Sequence, residues 1–293
     1  MRYRIRLTIE YDYQQPSDHA RNLLHLLPSD IAGVQTITSR LLTIDPMPPE
    51  RSERLDFFGN AMTSIAFHEP ISKLGFKLEV EAQRFAPSDD VLDLSPLLEN
   101  MPQEIAAAHH LGPLSPQHFV GDSPRVGAMP ETTDFARAHI QPGMTALEVV
   151  QAIGRALFRE MRFDATATEV DTPPADAFAA RHGVCQDFSH IMIACLRGLG
   201  IPAGYVSGFL RTHPPEGQPR LEGADAMHAW VRAWCGSELG WVEFDPTNDM
   251  VAGLDHVVIA VGRDYGDVSP VKGVLRTSGG QESRQAVDMV PLD

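Results

Sequence analysis

One cysteine, one histidine and one aspartate in this sequence stand where they could carry an acyl group on sulfur. Cys185 follows the Gly183 turn and opens the run Val184-Cys-Gln-Asp-Phe-Ser-His-Ile-Met-Ile-Ala-Cys-Leu-Arg-Gly-Leu-Gly200, which reads as a buried helix closed by glycine. Unpaired amides and the positive end of the helix dipole at that junction favour a thiolate, the nucleophilic form of the side chain. Such a nucleophile needs a base that takes its proton and later returns one to the leaving group, and histidine suits both tasks. His228 is the candidate. In Met227-His-Ala-Trp-Val-Arg-Ala-Trp234 the strand period puts His228, Trp230, Arg232 and Trp234 on one face; in Trp241-Val-Glu-Phe-Asp245 it does the same for Trp241, Glu243 and Asp245. A four-residue loop, Cys235 to Glu238, would join the runs in an antiparallel hairpin that pairs Trp234 with Leu239, Arg232 with Trp241, Trp230 with Glu243 and His228 with Asp245. Directly opposed residues have Cβ atoms roughly 4.5–5.5 Å apart, so the carboxylate can hold one imidazole nitrogen and leave the other facing a thiol. Pro246 ends the ladder beside Asp245. A slip of one residue would turn the pair to opposite faces.

Around this trio stand weaker candidates. The backbone amide of Cys185 is the expected oxyanion donor, because a helix N-terminus supplies such groups. Gln186, Trp230 and Trp241 are further candidates for oxyanion donation or for lining the substrate, the two aromatics reading equally as packing. Asp187 and His190 could tune the site or merely stand behind it, and His182 is a substrate-side or a turn residue. Cys195, among Ile193, Ala194 and Leu196, reads as a small buried hydrophobe, and Cys235 has no charged support. His182, Cys185, His190 and Cys195 superficially offer four metal ligands. Positions five and ten beyond Cys185 do not share its helical face, and no CxxC pair exists, so no metal and no cofactor is expected.

The elements that must position these residues follow from periodicity. Tyr3 to Tyr11 alternates polar and apolar residues, and Val34 to Ile44, Ser52 to His68 (with a hairpin turn at Gly59-Asn60) and Lys77 to Arg84 are similar. Residues 1–88 therefore read as a β-rich domain. Residues 89–142, with frequent prolines and short helical candidates at Gln103–His110 and Thr132–Ile140, read as a connecting segment, and residues 143–293 as a core. Within the core, a helix begins at Thr145 with Glu148 as its capping-box partner. A second starts near Pro173-Pro174, and the Cys185 helix is the third. Strands are predicted at Ala203–Arg211, Met227–Trp234, Trp241–Asp245 and His256–Gly262, followed by an irregular tail. The Pro- and Gly-rich stretch His213–Gly223 is a loop, either a lid or a long connection. The expected fold class is α+β, a nucleophile helix packed on an antiparallel sheet plus a β-rich N-terminal domain.

A chain of 293 residues with 43% hydrophobic side chains can bury a sizeable core. The net charge of −15 disfavours broad binding to nucleic acid or to anionic membranes. The first residues lack the apolar stretch of a signal peptide, no run approaches a membrane helix, and three cysteines suit a reducing compartment, so the expected location is cytoplasmic.

Several stretches together resemble the transglutaminase-like cysteine acyltransferases and proteases, in the bacterial branch with a β-rich N-terminal region. They are Arg181-His-Gly-Val-Cys-Gln-Asp-Phe-Ser-His190, Ile201-Pro-Ala-Gly-Tyr-Val-Ser-Gly-Phe-Leu210, Gly223-Ala-Asp-Ala-Met-His-Ala-Trp-Val231, Gly240-Trp-Val-Glu-Phe-Asp-Pro-Thr-Asn248 and Gly262-Arg-Asp-Tyr-Gly-Asp-Val-Ser-Pro-Val-Lys-Gly273. The resemblance implies a papain-like, transglutaminase-like core with Cys185 as nucleophile, His228 as general base and acid and Asp245 as orienter. Papain-like relatives place a Gln six residues before the nucleophile; Ala179 stands there in this chain, so that donor is absent. The implied substrate is a peptide or protein, attacked at an amide through a thioester. Hydrolysis is favoured over amine transfer, since nothing in the sequence suggests a pocket that excludes water and admits lysine. The alternatives are a protein-glutamine transglutaminase and a non-catalytic binding module that keeps the fold.

Overall fold

The structure, a computed structural model, describes residues 1–17, 20–86, 92–213, 225–275 and 279–292. In strand β1 (Arg2–Ser17) the alternation predicted from sequence buries Tyr3, Ile5, Leu7 and Ile9 and exposes Arg4 and Arg6. Strands β2 (Ala20–Leu24), β3 (Gln35–Asp45), β4 (Glu50–Leu55), β5 (Ala61–Phe67) and β6 (Ile71–Arg84) follow, with the β4–β5 turn containing Gly59 at positive φ. They build two antiparallel sheets, each completed from the far end of the chain. The first has the order β15-β1-β6-β3 and the second β14-β2-β5-β4, where β14 is Val271–Leu275 and β15 is Gln281–Pro291.

The far end of the chain differs from the sequence expectation. The stretch after Gly262 is not an irregular tail: it carries β14 and β15, and both pair with strands of the N-terminal region. The first half of β15 is exposed and polar, so no apolar alternation marks it; its partner β1 supplies the order.

The intervening chain carries the helices α1 (Met101–Ala107), α2 (Pro130–Ala138), α3 (Ala146–Glu160), α4 (Pro174–Ala180) and α5 (Cys185–Gly198) and a short parallel pair, β7 (Arg162–Phe163) with β8 (His182–Gly183). Helix α3 begins as predicted, with the Thr145 hydroxyl accepting from the Glu148 amide and the Glu148 carboxylate accepting from the Thr145 amide. Five antiparallel strands form the second body of the molecule, in the order β12 (Met250–Val251), β11 (Trp241–Asp245), β10 (Ala226–Trp234), β9 (Ala203–Leu210), β13 (His256–Gly262). Between β10 and β11 the chain makes one helical turn, α6 (Gly236–Leu239), and after β13 another, α7 (Tyr265–Val268). Helix α5 is apolar on almost every side and packs on β10 and β9, burying Ile191, Met192, Ile193 and Leu196 beside Ala229, Val231 and Ala233.

Strand β13 is the edge of this sheet, and two carboxamides from the N-terminal domain close it. Gln35 accepts from the Val258 amide (2.9 Å) and donates to the Val258 carbonyl (2.8 Å); Asn60 does the same at Val261, both at 2.8 Å. Each amide stands in for one residue of a missing strand, which satisfies an edge that would otherwise invite another chain. The molecule is thus mixed α and β with antiparallel sheets, helix α5 packed on one of them and a β-rich N-terminal region.

Candidate active site

Cys185 is the first residue of α5 and is half-buried. The Asp187 carboxylate fixes this end of the helix, accepting from the Val184 amide (2.8 Å) and from the Thr168 hydroxyl (2.6 Å). A side chain at Gly183 would meet that carboxylate, with a Cβ only 2.6 Å from Oδ2, which accounts for the glycine two residues before the sulfur. The Asp187 and Phe188 amides bond the Val184 carbonyl, so the amides of Cys185 and Gln186 are the ones the helix leaves without an internal partner.

His228, near the start of β10, is buried, and its Nε2 lies 2.8 Å from Oδ2 of Asp245. Burial alone would discharge the imidazole. The Asp245 hydrogen bond and contact with the Cys185 sulfur outweigh it and raise its pKa to about 10. With Nε2 taken, Nδ1 is the nitrogen left for the sulfur. Asp245 is fully buried, which by itself would raise its pKa, yet hydrogen bonds from His228, His256 and Asn248 hold it well below the usual carboxylate range.

The hairpin differs in register from the sequence expectation while keeping its consequence. Trp234 pairs with Trp241, Arg232 with Glu243 and Val231 with Phe244, an offset of two residues. The connection is Cys235 to Gly240 rather than a four-residue loop, closed by the Cys235 amide on the Gly240 carbonyl (2.8 Å), with Gly236 and Gly240 at positive φ. A shift of two preserves the face, so His228 and Asp245 meet diagonally instead of directly. After Pro246 the chain folds back on the carboxylate. Oδ1 accepts from the Thr247 and Asn248 amides (2.9 and 3.3 Å) and Oδ2 from the Asn248 side chain (2.7 Å).

His256 is a residue that sequence reasoning missed. Its Nε2 lies 3.2 Å from the same Oδ2, while its Nδ1 accepts from the Gly253 amide (3.3 Å), so the hydrogen sits on Nε2 and points at Asp245. It opens a predicted strand as a lone histidine, and no spacing ties it to Asp245.

The three weaker candidates have their side-chain N–H groups engaged elsewhere. Trp230 is fully buried and donates to Glu243 (2.9 Å), so it is neither an oxyanion donor nor a substrate wall. Its ring stacks on His228 at 6.2 Å between centroids and meets His256 edge-on at 5.0 Å. Trp241 donates to the Leu114 carbonyl (3.1 Å) and packs on Phe119. Gln186 donates to the Val170 carbonyl (2.9 Å). His190 is pushed down to about 4 by burial and accepts from the Tyr265 amide (3.2 Å). The thiols of Cys195 and Cys235 are buried and pushed up to about 12. His182, half-buried in β8, has an Nδ1 without a partner among the described residues. His182, Cys185, His190 and Cys195 do not converge; among the described residues no three His, Cys, Asp or Glu side chains are arranged to hold a metal ion. Of the stretch considered as a lid, residues 214–223 lie outside the described residues, and among those described no helix is long and apolar enough to cross a membrane.

Comparison with known proteins agrees with this architecture. Residues 133–246 match the transglutaminase-like superfamily core and residues 3–83 the bacterial transglutaminase-like N-terminal region. An uncharacterized protein of Mycobacterium tuberculosis is 32% identical over 301 residues, covering 100% of this chain and 93% of the relative. One from Mycobacterium leprae is 30% identical over 298 residues, covering 99% of both. Among solved structures, a candidate cysteine protease from Cytophaga hutchinsonii superposes with a TM-score of 0.75 at 21% identity, over 100% of this chain and 91% of the other. The chain belongs to the transglutaminase-like superfamily, in the group that carries the bacterial transglutaminase-like N-terminal region.

Proposed function

We propose that this protein is a cysteine-dependent hydrolase of peptide or amide bonds, with Cys185 as nucleophile, His228 as general base and acid, and Asp245 as the group that orients the imidazole. The reading rests on one observation: a half-buried thiol at a helix N-terminus contacts an imidazole whose Nε2 is held by a buried carboxylate. The Cys185 proton passes to Nδ1 of His228, and the sulfur attacks the carbonyl carbon of the substrate. The Cys185 amide, at the N-terminus of α5, stabilises the oxyanion of the tetrahedral intermediate. The C–N bond breaks as the leaving amine takes the proton back from His228, which leaves a thioester. Water then adds to the thioester carbonyl with His228 as base, and the C–S bond breaks to release the acid and regenerate the thiol. The acyl acceptor is water in this scheme; an amine acceptor would make the same enzyme a transglutaminase. The substrate is a peptide or protein, and three free cysteines agree with a cytoplasmic location.

A mixed peptide library incubated with wild type and with Cys185→Ala, with and without an added primary amine, tests the proposal by mass spectrometry. Chain shortening that requires Cys185 is the expected result. Amine incorporation in place of shortening would replace hydrolysis by transfer. A folded wild type that does neither would overturn the enzymatic reading.

A further inference from the structure

Between the N-terminal sheets and the core lies a cavity of about 480 Å³ whose lining includes neither Cys185 nor His228. Val34, Phe85, Leu147 and Val251 give it apolar walls, and Arg84 and Glu243 supply charge. Arg84 is only 4% exposed. Its Nε donates to the Gly253 carbonyl (3.2 Å), its Nη1 has no acceptor among the described residues, and its Nη2 is 4.0 Å from Oε2 of Glu243, too far for a hydrogen bond. That oxygen is already used, since it accepts from the Trp230 indole.

A second guanidinium belongs to the residue paired with Glu243 across the hairpin. Arg232 is opposite Glu243 in the β10–β11 ladder, is buried, and lies over the Trp241 ring at 4.2 Å, with an Nε that also lacks an acceptor among the described residues. Burial lowers the pKa of both arginines, with Glu243 the acid that opposes the effect in each case. Two buried cations thus face one partly exposed anion. An uncompensated charge in such a place is costly, and arginine remains protonated at neutral pH rather than relieving the cost by losing its proton.

We propose that this cavity binds a small organic carboxylate with an apolar body. One negative charge balances the site, a planar carboxylate matches the guanidinium fork, and the walls favour a hydrocarbon remainder over water. The volume falls within the range of ordinary ligand pockets, roughly 300–1,000 Å³. Phosphate would carry the charge without the apolar body. Because Glu243 also holds Trp230, which stacks on His228, an occupant here sits one indole away from the candidate catalytic imidazole.

Calorimetric titration of the full chain carrying Cys185→Ala tests binding independently of any catalysis. The probes are 3-phenylpropionate, its neutral amide and inorganic phosphate. The expected result is binding of the carboxylate with Kd below about 1 mM and at least roughly 10-fold weaker binding of the amide and of phosphate. Arg84→Met should cost at least about 10-fold in carboxylate affinity, and Leu147→Trp, which fills the cavity from α3 without touching a charge, should do likewise. If Arg84→Met fails to fold, Leu147→Trp decides. No binding of the carboxylate, equal binding of the amide or of phosphate, or unchanged affinity in the folded variants would overturn the proposal.

Discussion

His228 and His256 place their Nε2 atoms 2.8 and 3.2 Å from one and the same oxygen of Asp245. A carboxylate gripped by two imidazoles, a carboxamide and two backbone amides has little freedom to rotate, so the direction in which it holds His228 is set by the whole group. In the proposed reaction His256 is therefore a positioning residue. His256→Phe should lower kcat/KM by roughly 10-fold with KM nearly unchanged, the scale of a lost hydrogen bond to a charged group. His256→Gln, which keeps a donor, should recover part of that loss. Equal activity of His256→Phe and wild type would show that Asp245 is oriented without it.

Contact with His228 sets Cys185 apart from the two buried thiols. At pH 6 iodoacetamide should modify Cys185 and spare Cys195 and Cys235, whose thiols burial pushes up to about 12. His228→Ala should slow that modification by about 10-fold or more, since the imidazolium no longer faces the sulfur. Mass spectrometry of the folded protein reads the labelling, and equal rates at Cys185 and Cys235 would end the assignment of the nucleophile.

Much of this site was legible in the sequence, for identifiable reasons. The glycine before Cys185, the apolar helix behind it and the period of two around His228 and Asp245 are local signals, and local signals survive in a one-dimensional reading. What was not legible is non-local. The hairpin offset arises because Cys235–Gly240 closes as a helical turn between two positive-φ glycines, and a shift of two leaves the alternation pattern unchanged. His256 reaches Asp245 only because β13 folds back beside β9, and β15 reads as polar chain until β1 is seen to pair with it. The charge cluster joins Arg84 on β6 to Arg232 and Glu243 on the β10–β11 hairpin, far along the chain.

Gly208 tests the packing beneath the histidines. It sits on β9 beside Trp230, and an added Cβ would overlap both the indole ring and the Val257 carbonyl, which is backbone and cannot rotate away. Gly208→Ala should cost roughly 1–3 kcal/mol in urea unfolding, as overpacking does, and should lower activity further by displacing the ring that supports His228. Unchanged stability would mean that the strand moves to admit the methyl group.

Two buried histidines shape the dependence of stability on pH in opposite senses. His228 is raised from 6.5 to about 10, so its contribution is complete below pH 6.5 and is lost as pH rises toward 10. His190 is lowered from 6.5 to about 4 by burial, with Arg125 and Arg197 reinforcing the shift and Asp264 opposing it. The unfolded chain therefore takes up a proton that the fold refuses, and stability falls as pH drops from 6.5 to 4. Maximum stability is expected near pH 6.5. His190→Gln, which can still accept from the Tyr265 amide, should flatten the acid limb by on the order of 3 kcal/mol. Melting curves across pH 4 to 10 check this, and an acid limb identical in the variant would refute the role of His190.

The clamp on β13 predicts how firmly the two halves of the molecule are joined. Gln35 and Asn60 each satisfy one backbone N–H and one C=O that no strand among the described residues reaches. Truncating either amide strands a donor and an acceptor, and leaving buried polar groups unsatisfied costs roughly 1–3 kcal/mol each. Water can enter more readily at Asn60, whose bonds are partly exposed, than at Gln35, whose bonds to Val258 are buried, so Gln35→Ala should be the more damaging change. Hydrogen exchange resolves the effect by position. Gln35→Ala should speed exchange at the Val258 amide, and Asn60→Ala at Val261, while Val231 in the centre of the sheet exchanges as before. Uniform acceleration across the sheet would instead mean that the amides support global stability and do not act as a local edge clamp.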